Sequence, residues 1–460
     1  MDGTTEAAMD GAPDYFIPPE IEHQLRHVDE RAPALSPKDI AAIAAGLAES
    51  SEQAAAITPG RRMQALGAVA RSWLDRSSPH RRAAERLLPA RTGYAPEMVA
   101  EALDLLFRSL EVERLEELLR TDLPHSPCPA PRLVFLIAAG TVFPPAIVGA
   151  TAALLLGSPV LIKPASAEPI SASLWARSLA ACDPELARLV AVLPWPRARS
   201  ELTLAALEAA GAVIAHGDDQ TIAAIRAAAP SSTRIIAHGH RVSAAILGAG
   251  ALTADPKGLA RGLARDVALY DQQGCLSPHT VFVEETSASN TTSADTARTF
   301  AGLLAAELTE LERSWPRARL DPAAASSLRQ FLLARELKGD VILGGFDAGW
   351  AVVLDSTEPK ARFEYSPLGR TVIVKPAPAV GAAIEALAAV RDRLQAVGLA
   401  ITHRDRIALA RRLGLYDDVD SNQDWAPRVR LCPVGTMQSP PLTWAADGHR
   451  PLAALCMHAM

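Results

Sequence analysis

One cysteine of this chain stands in a setting that suits covalent catalysis. Cys275 lies in the run DQQGCLSP (271–278), and the β-like run TVFV (280–283) follows at once. A thiol on a tight turn before a strand has a fixed backbone and an accessible sulfur, so its thiolate can attack a carbonyl carbon and leave again. His279 would lower the pKa of this thiol if the two side chains met. Most cysteines are structural, so the turn alone does not assign the role.

Two further segments place chemically useful groups where strands end. Lys163 follows the apolar run VLI (160–162), so its ammonium stands at the carboxyl edge of a parallel strand, where open α/β sheets bind ligands. Gly217 follows another apolar run and precedes a helix, whose N-terminus favours anions. Each also has an ordinary explanation: a surface lysine, and a helix capped by Asp218 or Asp219. The chain has no GxGxxG, so a nucleotide site would not use the usual Rossmann fingerprint.

Alternating strands and helices must position these groups. Short apolar runs recur from residue 133 to 237 and again from 244 to 375, separated by Ala/Leu-rich stretches with helical periodicity. This alternation predicts an α/β fold with two doubly wound, open parallel sheets. Residues 37–120 have helical periodicity alone, which predicts a helical N-terminal lead-in.

Composition limits the classes of protein and compartment. The 460 residues, 49% hydrophobic and 21% charged, predict a globular chain of two or three domains. The net charge of −6 is interleaved along the chain and argues against nucleic acid as a partner. The five cysteines are odd in number and widely spaced, which argues against a disulfide scaffold or a zinc site and favours a reducing cytoplasm. We expect Cys432 to be a packed thiol.

Neither a membrane span nor a metal site is expected. Residues 133–162 are uncharged and long enough to cross a bilayer, but glycines and prolines interrupt them, which favours strand, turn, helix, turn and strand. The chain opens without a basic and apolar leader. His216, His238 and His240 are interpreted as loop histidines, because their spacing provides no third metal ligand.

Taken together, these motifs resemble a known superfamily. KPAS (163–166) after an apolar βαβ unit, Gly217 after the fourth strand and the later Gly-x-Cys turn are similar to the aldehyde dehydrogenase superfamily. DQQGCLSP, GHRVS (239–243) and the tail CPVGTMQSPPL (432–442) resemble more closely the LuxC-type acyl-CoA reductases, the fatty-acid reductase family of bacterial bioluminescence. The resemblance covers roughly residues 130–455.

The resemblance implies a set of cofactor-binding residues. Lys163 would hold the adenosine ribose or its phosphate, with Gly217 and Gly239 beside the cofactor. Glu364 is a weaker match to the glutamate that holds the nicotinamide ribose. Ser166 stands where NAD-preferring members have a glutamate for the ribose 2′-hydroxyl, so the implied cofactor is NADPH, with NADH as the alternative.

The resemblance also implies roles in the reaction. Cys275 would take an acyl group from a thioester. The glutamate that activates water in aldehyde-oxidising members is expected to be replaced by Ala237, so an acyl-enzyme would survive until hydride reaches it. The oxyanion-stabilising asparagine should lie in GTVFP (140–144), which has none, and Thr141 or the Cys275 amide would donate instead.

We therefore expect an NADPH-dependent reductase that converts an acyl thioester to the aldehyde through an acyl-enzyme on Cys275. Its substrate would be acyl-CoA or an acyl-carrier protein. Acyl-transferase or synthetase subunits are the expected partners, and the chain is expected to form a homo-oligomer. The alternatives are an aldehyde dehydrogenase, either CoA-acylating or hydrolytic, and a weakly active subunit of a multi-enzyme complex.

The expected domains follow from the same patterns. They are a flexible N-terminal arm (1–35), the helical lead-in with an NAD(P)-binding domain (36–250), a catalytic domain with the cysteine nucleophile (251–430), and a C-terminal segment that returns to an interdomain or oligomer surface (431–460).

Overall fold

The computed structural model describes residues 14–22, 35–54, 57–123, 128–285, 295–355, 361–415 and 428–456. In chain order, the helices are α1 (Pro19–Glu22), α2 (Pro37–Ala54), α3 (Pro59–Leu74), α4 (Pro79–Thr92), α5 (Pro96–Arg108), α6 (Val112–Asp122), α7 (Pro144–Leu156), α8 (Ile170–Cys182), α9 (Pro184–Ala187), α10 (Ser200–Ala209), α11 (Asp219–Ala228), α12 (Ala249–Ala254), α13 (Pro256–Ala268), α14 (Asp295–Ser314), α15 (Pro322–Lys338), α16 (Val380–Ala388) and α17 (His403–Arg412). The strands are β1 (Val134–Ile137), β2 (Val160–Lys163), β3 (Val190–Val192), β4 (Ala212–His216), β5 (Arg234–His238), β6 (Val242–Leu247), β7 (Pro278–Glu284), β8 (Val341–Gly345), β9 (Trp350–Leu354), β10 (Thr371–Ala377), β11 (Leu394–Ala400) and β12 (Arg430–Pro433). Short 3₁₀ turns cover Leu269–Gln272, Arg391–Arg393 and Ala446–Gly448.

Two sheets divide the chain into two units. The first unit contains the described residues of 1–92, 99–239 and 441–460, and the second contains those of 93–98 and 240–440. This corrects the predicted boundary at residue 250, because β6 pairs with β7 and β11 and so belongs to the second sheet. The predicted C-terminal segment is divided as well, since β12 pairs with β11 while the residues from 441 return to the first unit.

The first unit is built on a five-stranded parallel sheet in the order β3-β2-β1-β4-β5. Its strands lack polar alternation because helices cover both faces, as is usual for parallel sheets. The uncharged stretch 133–162 forms β1, α7 and β2, as predicted, and Gly157 ends α7 in the left-handed conformation. Within the described residues, no helix is both long and apolar enough to cross a membrane.

The lead-in helices are joined by a buried arginine at the start of α4. Arg81 is fully buried and donates to the carbonyl oxygens of Trp73 (2.9 Å) and Ala100 (2.8 Å). Its charge is balanced by Glu85 and Asp104, each 2.7 Å away. Because one guanidinium connects α3, α4 and α5, the axis of α4 is fixed relative to its neighbours.

Part of the predicted N-terminal arm is held on the sheet. Phe16 forms an antiparallel bridge to Val192, with N–O distances of 2.8 and 2.7 Å, and covers the outer edge of β3. Tyr15, Phe16 and Ile17 are buried. The flexible arm is therefore corrected for residues 14–22, because an apolar triplet satisfies the backbone groups of an edge strand. The rest of the predicted arm, apart from Leu35, lies outside the described residues.

The C-terminal segment lies along β5, the opposite edge of the same sheet. The Asp122 carboxylate accepts the backbone N–H of Leu452 (2.6 Å) and the Nε–H of Arg450 (2.6 Å). Cys456 forms a disulfide with Cys128, with a Cα–Cα distance of 5.1 Å. The odd number and wide spacing of the cysteines argued against a disulfide scaffold and did not predict this bridge, whose two cysteines are 328 residues apart.

The second unit has a seven-stranded sheet in the order β12-β11-β6-β7-β10-β9-β8. All its pairs are parallel, as predicted, except β8–β9, which is antiparallel. Residues 346–349 alone connect these two strands, and such a short connection permits only a hairpin.

Candidate active site

The backbone before Cys275 adopts a conformation that most residues avoid. Tyr270, Asp271 and Gln272 have φ values of 55°, 52° and 65°, three successive non-glycine residues in the left-handed region. Each such residue costs on the order of 1 kcal/mol, so the surroundings must hold the turn in place. The consequence is a sharp reversal between α13 and the loop that presents the cysteine.

Asp271 is held by Arg370, the residue that precedes β10, and by the backbone of Ala318. Its carboxylate accepts the Nε–H of Arg370 (2.7 Å) and the backbone N–H of Ala318 (2.9 Å). Both charged side chains are buried, and Arg370 is 1% exposed. Burial raises the pKa of the Asp271 carboxyl, while the facing Arg370 cation opposes that rise. The ion pair therefore fixes the first half of the turn.

Gln272 fixes the second half. Its side-chain amide donates to the carbonyl oxygens of Pro278 (2.9 Å) and Thr371 (2.8 Å) and accepts the N–H of Thr371 (2.8 Å). The glutamine is fully buried, so every bond is shielded from water. Gln272, three residues before Cys275, thus bonds the turn to strands β7 and β10.

Cys275 itself is exposed at the tip of this turn. The N–H of Ser277 donates to the Gly274 carbonyl (3.0 Å), which closes the backbone around the cysteine. The Ser243 hydroxyl donates to the Cys275 carbonyl (2.7 Å) and accepts the N–H of Ala396 (3.1 Å). The carbonyl of Cys275 is thereby bonded to β6 and, through Ser243, to β11, while the residue stays exposed.

The tail motif that follows β12 supports the same turn. The Gln438 amide donates to the Ser277 hydroxyl and to the backbone carbonyl of Asp266, both at 2.8 Å. The Asp266 carboxylate accepts the N–H groups of Gly435 (2.6 Å) and Met437 (3.0 Å). Burial raises the pKa of Asp266 to about 7. Sequence reasoning noticed the tail as a family motif but did not predict this contact.

His279 is not placed to serve as a cation. Burial lowers its pKa to about 4, so the ring is neutral near pH 7. Its Nδ1 accepts the backbone N–H of Ser366 (3.1 Å), and Phe363 and Tyr365 pack beside the ring. This hydrogen bond and the two ring contacts of His279 therefore hold the loop after residue 361 against β7.

Glu364 lies on this loop and is bound to cations of the protein. Its two carboxylate oxygens contact Lys375 Nζ (2.6 Å) and Arg335 Nη1 (2.7 Å). Its backbone N–H and carbonyl both bond the Thr280 hydroxyl, at 3.1 and 2.8 Å. Asp355 joins the same network and contacts Lys375 at 2.8 Å, and the two cations hold its pKa well below the ordinary value. The role of Glu364 toward a nicotinamide ribose remains a prediction.

The other predicted binding residues lie in the first unit, at the carboxyl edge of its sheet. Lys163 ends β2, Gly217 follows β4 and Gly239 follows β5. Thr141 follows β1 in a turn that Gly140 makes possible with a φ of +75°. The strand register aligns these ends, so the sheet brings together at one edge groups that are far apart in sequence.

Lys163 is a half-buried cation without an acidic partner. Burial lowers its pKa, and Nζ lies 5.7 Å from the centre of the Trp195 ring. Among the described residues, no carboxylate pairs with it. A partly desolvated ammonium at this edge suits a ribose hydroxyl or a phosphate. The site therefore fits a dinucleotide on the chemistry of its lysine.

Glu168 is a residue whose role sequence reasoning missed. It lies two positions after Ser166 and caps α8: its carboxylate accepts the N–H groups of Ile170 (2.9 Å) and Ser171 (2.8 Å) and the Ser171 hydroxyl (2.5 Å). Burial raises its pKa. An acidic residue directly before a helical stretch was the signal available in the sequence, because carboxylates are favoured at helix N-termini. The three donors thus direct this carboxylate toward α8, and Ser166 is exposed at the turn.

Three histidines meet an aspartate beside the ends of β4 and β5. The His216 and His238 rings stack at 4.6 Å, and His238 Nδ1 lies 2.8 Å from the Asp447 carboxylate. His449 approaches edge-on at 5.9 Å. Burial lowers the pKa of His216 to about 3. In the part of the chain that is described, these side chains are not arranged to hold a metal ion, and neither is any other group of three or more His, Cys, Asp or Glu residues.

Comparison with known proteins places this chain in a family. Residues 62–458 match the family described as acyl-CoA reductase (LuxC). The chain is 25% identical over 324 residues to the long-chain acyl-protein thioester reductase of Vibrio harveyi, which covers 66% of this chain and 64% of that protein. It is 30% identical over 133 residues to the long-chain acyl-protein thioester reductase 2 of Photobacterium leiognathi, or 28% of this chain and 27% of that one. The chain thus matches less than two thirds of the length of either relative.

Solved structures resemble the fold. Aldehyde dehydrogenase 21 from Physcomitrella patens has a TM-score of 0.68 at 15% identity, over 87% of this chain and 83% of its own. The NADP-dependent glyceraldehyde-3-phosphate dehydrogenase of Bacillus halodurans C-125 has a TM-score of 0.63 at 17% identity, with the same coverage of 87% and 83%. A NAD-dependent benzaldehyde dehydrogenase from Corynebacterium glutamicum has a TM-score of 0.64 at 16% identity, over 88% and 89%. The chain has an aldehyde dehydrogenase-like fold, as its motifs predicted.

Proposed function

The chain belongs to the LuxC acyl-CoA reductase family, and from that premise we propose that it reduces an acyl thioester to the aldehyde through an acyl group on Cys275. The observation that carries the proposal is the turn before this cysteine. Three left-handed residues are held there by buried bonds of Asp271 and Gln272, and they leave the thiol exposed. Strain that is stabilised by surrounding bonds is typical of functional sites.

The chemistry assigned to Cys275 is acyl transfer. Its thiolate attacks the thioester carbonyl, a new carbon–sulfur bond forms, and the thiol of the donor leaves with a proton. The Cys275 amide is the proposed donor to the oxyanion, and Thr141 stays a second candidate. A bound nicotinamide cofactor would supply the hydride. Cys275 then departs as the thiolate when the aldehyde forms, ready for another acyl group.

The fold and the family imply a nicotinamide cofactor, and we assign it to the carboxyl edge of the five-stranded sheet. Lys163, Ser166, Gly217 and Gly239 are the proposed contacts. NADPH is favoured because Ser166 brings no carboxylate to the turn and the nearby Glu168 carboxylate is engaged in capping α8. NADH is the alternative. A carboxylate at the turn would repel the 2′-phosphate of NADPH. Without that carboxylate, the site does not select against NADPH.

The substrate is proposed to be a long acyl chain carried on CoA or on an acyl-carrier protein. The names of the two relatives specify an acyl-protein thioester, which supports a protein-bound donor. Acyl-transferase or synthetase subunits are the proposed partners, and the chain is proposed to form a homo-oligomer. The Cys128–Cys456 disulfide removes the argument from cysteine usage for a reducing cytoplasm.

Aldehyde oxidation is the second candidate, favoured by the fold alone. Ala237 argues against its hydrolytic form. This residue is buried in β5, and a methyl group cannot activate water. A CoA-acylating dehydrogenase and a weakly active partner subunit are two further candidates. Turnover of free aldehyde with NADP⁺ but without CoA would favour the hydrolytic enzyme.

Intact-protein mass spectrometry tests the proposal. We expect acyl-CoA or acyl-carrier protein to add the mass of one acyl group and NADPH to remove it. Cys275→Ala should abolish the adduct. Cys182→Ala is the matched control, because Cys182 is also an exposed thiol and has no proposed role. Failure of every acyl donor to modify Cys275 would contradict the mechanism.

A further inference from the structure

An arginine of the helical lead-in reaches the turn that follows β2. Arg91 Nη2 donates to the backbone carbonyl of Ser166 at 3.3 Å, although 75 residues separate the two. The arginine lies in the last turn of α4 and its side chain is exposed. It pairs with no carboxylate in the described part of the chain, so its other donors are available to a ligand.

The protein fixes this arginine in position. Arg81, at the beginning of α4, bonds the carbonyls of Trp73 and Ala100 and anchors the helix to α3 and α5. Leu88, one turn before Arg91, is fully buried. The helix also packs against α8, which begins directly after the Ser166 turn. Arg91 is therefore held at the sheet edge by its own helix.

We propose that Arg91 binds the 2′-phosphate of NADPH and determines the preference for NADPH over NADH. The inference rests on the proposed function, since it concerns the same cofactor site. Lys163 brings a second cation to the carboxyl edge of the sheet, and Ser166, whose carbonyl Arg91 binds, adds a hydroxyl to the same exposed turn. A guanidinium matches the geometry of a phosphate through two parallel hydrogen bonds, which an ammonium does not.

The charge around the turn agrees with an anionic ligand. Glu168 is the acidic residue closest in sequence, and its oxygens face the N-terminus of α8, where Ile170 and Ser171 bond them. Arg91 and Lys163 thus lie beside a turn whose own residues Ser166 and Ala167 carry no charge. A dianionic phosphate gains most from such a pair of cations.

Coenzyme A also has a phosphate on its adenosine ribose, but at the 3′ position and not at the 2′ position of NADPH. The test therefore uses three nucleotides: 2′,5′-ADP as the NADPH fragment, 3′,5′-ADP as the coenzyme A fragment, and 5′-AMP as the NADH fragment. Their binding to the full chain is measured by isothermal titration calorimetry, which requires neither hydride transfer nor acylation.

Arg91→Ala should weaken 2′,5′-ADP by about 10- to 100-fold, the effect of losing a charged hydrogen-bonded pair, and should leave 5′-AMP unchanged. The affinity of Arg91→Lys for 2′,5′-ADP should lie between those of the wild type and Arg91→Ala, because lysine keeps the charge but cannot form two parallel hydrogen bonds. Arg120→Ala is the control: Arg120 is an exposed arginine of α6 in the same unit, and its removal should change no affinity.

Three results would overturn the inference. An unchanged ratio of 2′,5′-ADP to 5′-AMP affinity in Arg91→Ala would show that Arg91 does not read the phosphate. A loss confined to 3′,5′-ADP would assign the residue to coenzyme A. Binding of none of the nucleotides by the wild-type chain would refute the proposed cofactor site together with this inference, whereas failed acylation of Cys275 with normal Arg91-dependent binding would refute the proposed function alone.

Discussion

Replacement of Ser243 by alanine should loosen the turn that presents Cys275. Ser243 is 0% exposed, and pairing is irregular on both of its sides: the register shifts between β6 and β11 and again between β6 and β7. Its hydroxyl fills this irregularity, since it accepts the Ala396 N–H (3.1 Å) and donates to the Cys275 carbonyl (2.7 Å). Ser243→Ala removes both bonds and adds no steric clash.

The expected cost follows from those two bonds. A buried N–H left without a partner costs about 1–3 kcal/mol, and the bond to the Cys275 carbonyl contributes about 0.5–1.5 kcal/mol. The free energy of opening β6 and β11 should therefore fall by about 2–4 kcal/mol. Since 1.4 kcal/mol corresponds to a factor of ten, amide exchange in these strands should accelerate by roughly 30-fold or more.

Hydrogen–deuterium exchange with peptide mass spectrometry measures this locally, which is necessary because a chain of two units does not guarantee a single unfolding transition. The rate at which iodoacetamide alkylates Cys275 is the second readout, and this rate should change when the backbone of Cys275 moves. Ser314→Ala is the control: that hydroxyl is exposed and bonds only the preceding turn of α14. Exchange in β6 and β11 unchanged within about twofold would refute the reasoning.

Three further changes test the supports of the two units. Because burial raises the pKa of Asp266 from 3.8 to about 7, the folded state holds that proton more tightly than the unfolded one, and stability should fall as pH rises through this window. Asp266→Asn should remove about 2–3 kcal/mol of that loss between pH 5 and 7 in chemical unfolding, and parallel pH profiles would contradict it. Cys456→Ser opens a loop of 328 residues and should lower the free energy of unfolding by up to about 5 kcal/mol, an effect that dithiothreitol should reproduce in the wild type but not in the variant. Arg370→Met leaves the buried Asp271 carboxylate unpaired and should cost about 3–5 kcal/mol in the second unit, whereas Arg370→Met combined with Asp271→Asn should recover part of it; equal losses would contradict the ion-pair argument.

Local signals in the sequence predicted those features of the fold that depend on residues close by in the chain. The uncharged stretch 133–162 formed β1, α7 and β2 because proline and glycine occur where the helix begins and ends. Polar and glycine residues around Cys275 predicted a turn for the same reason. Nothing in the run of Tyr270, Asp271 and Gln272 predicts a positive φ, since that conformation is stabilised by Arg370 and Thr371, about 99 residues away.

Partners distant in sequence account for what the sequence did not predict. The apolar patch at Tyr15–Ile17 was visible, but its partner is the edge of β3 at Val192. Cys128 and Cys456 have no local pattern in common, and Asp447 pairs with His238 across 209 residues. Edge coverage, cross-links and ion pairs of this kind depend on the completed topology, which periodicity does not encode.

The two ends of the chain cover the two edges of the first sheet, Phe16 at β3 and the segment from 446 to 456 along β5. Residues 240–440, most of the second unit, are inserted between β5 and that last segment. During synthesis on the ribosome, the edge of β5 therefore stays uncovered until residues 446–456 have emerged, while the inserted residues can fold earlier as a continuous stretch. A chain stalled or cleaved before residue 441 would present a bare strand edge, which would make it a substrate for chaperones or for aggregation.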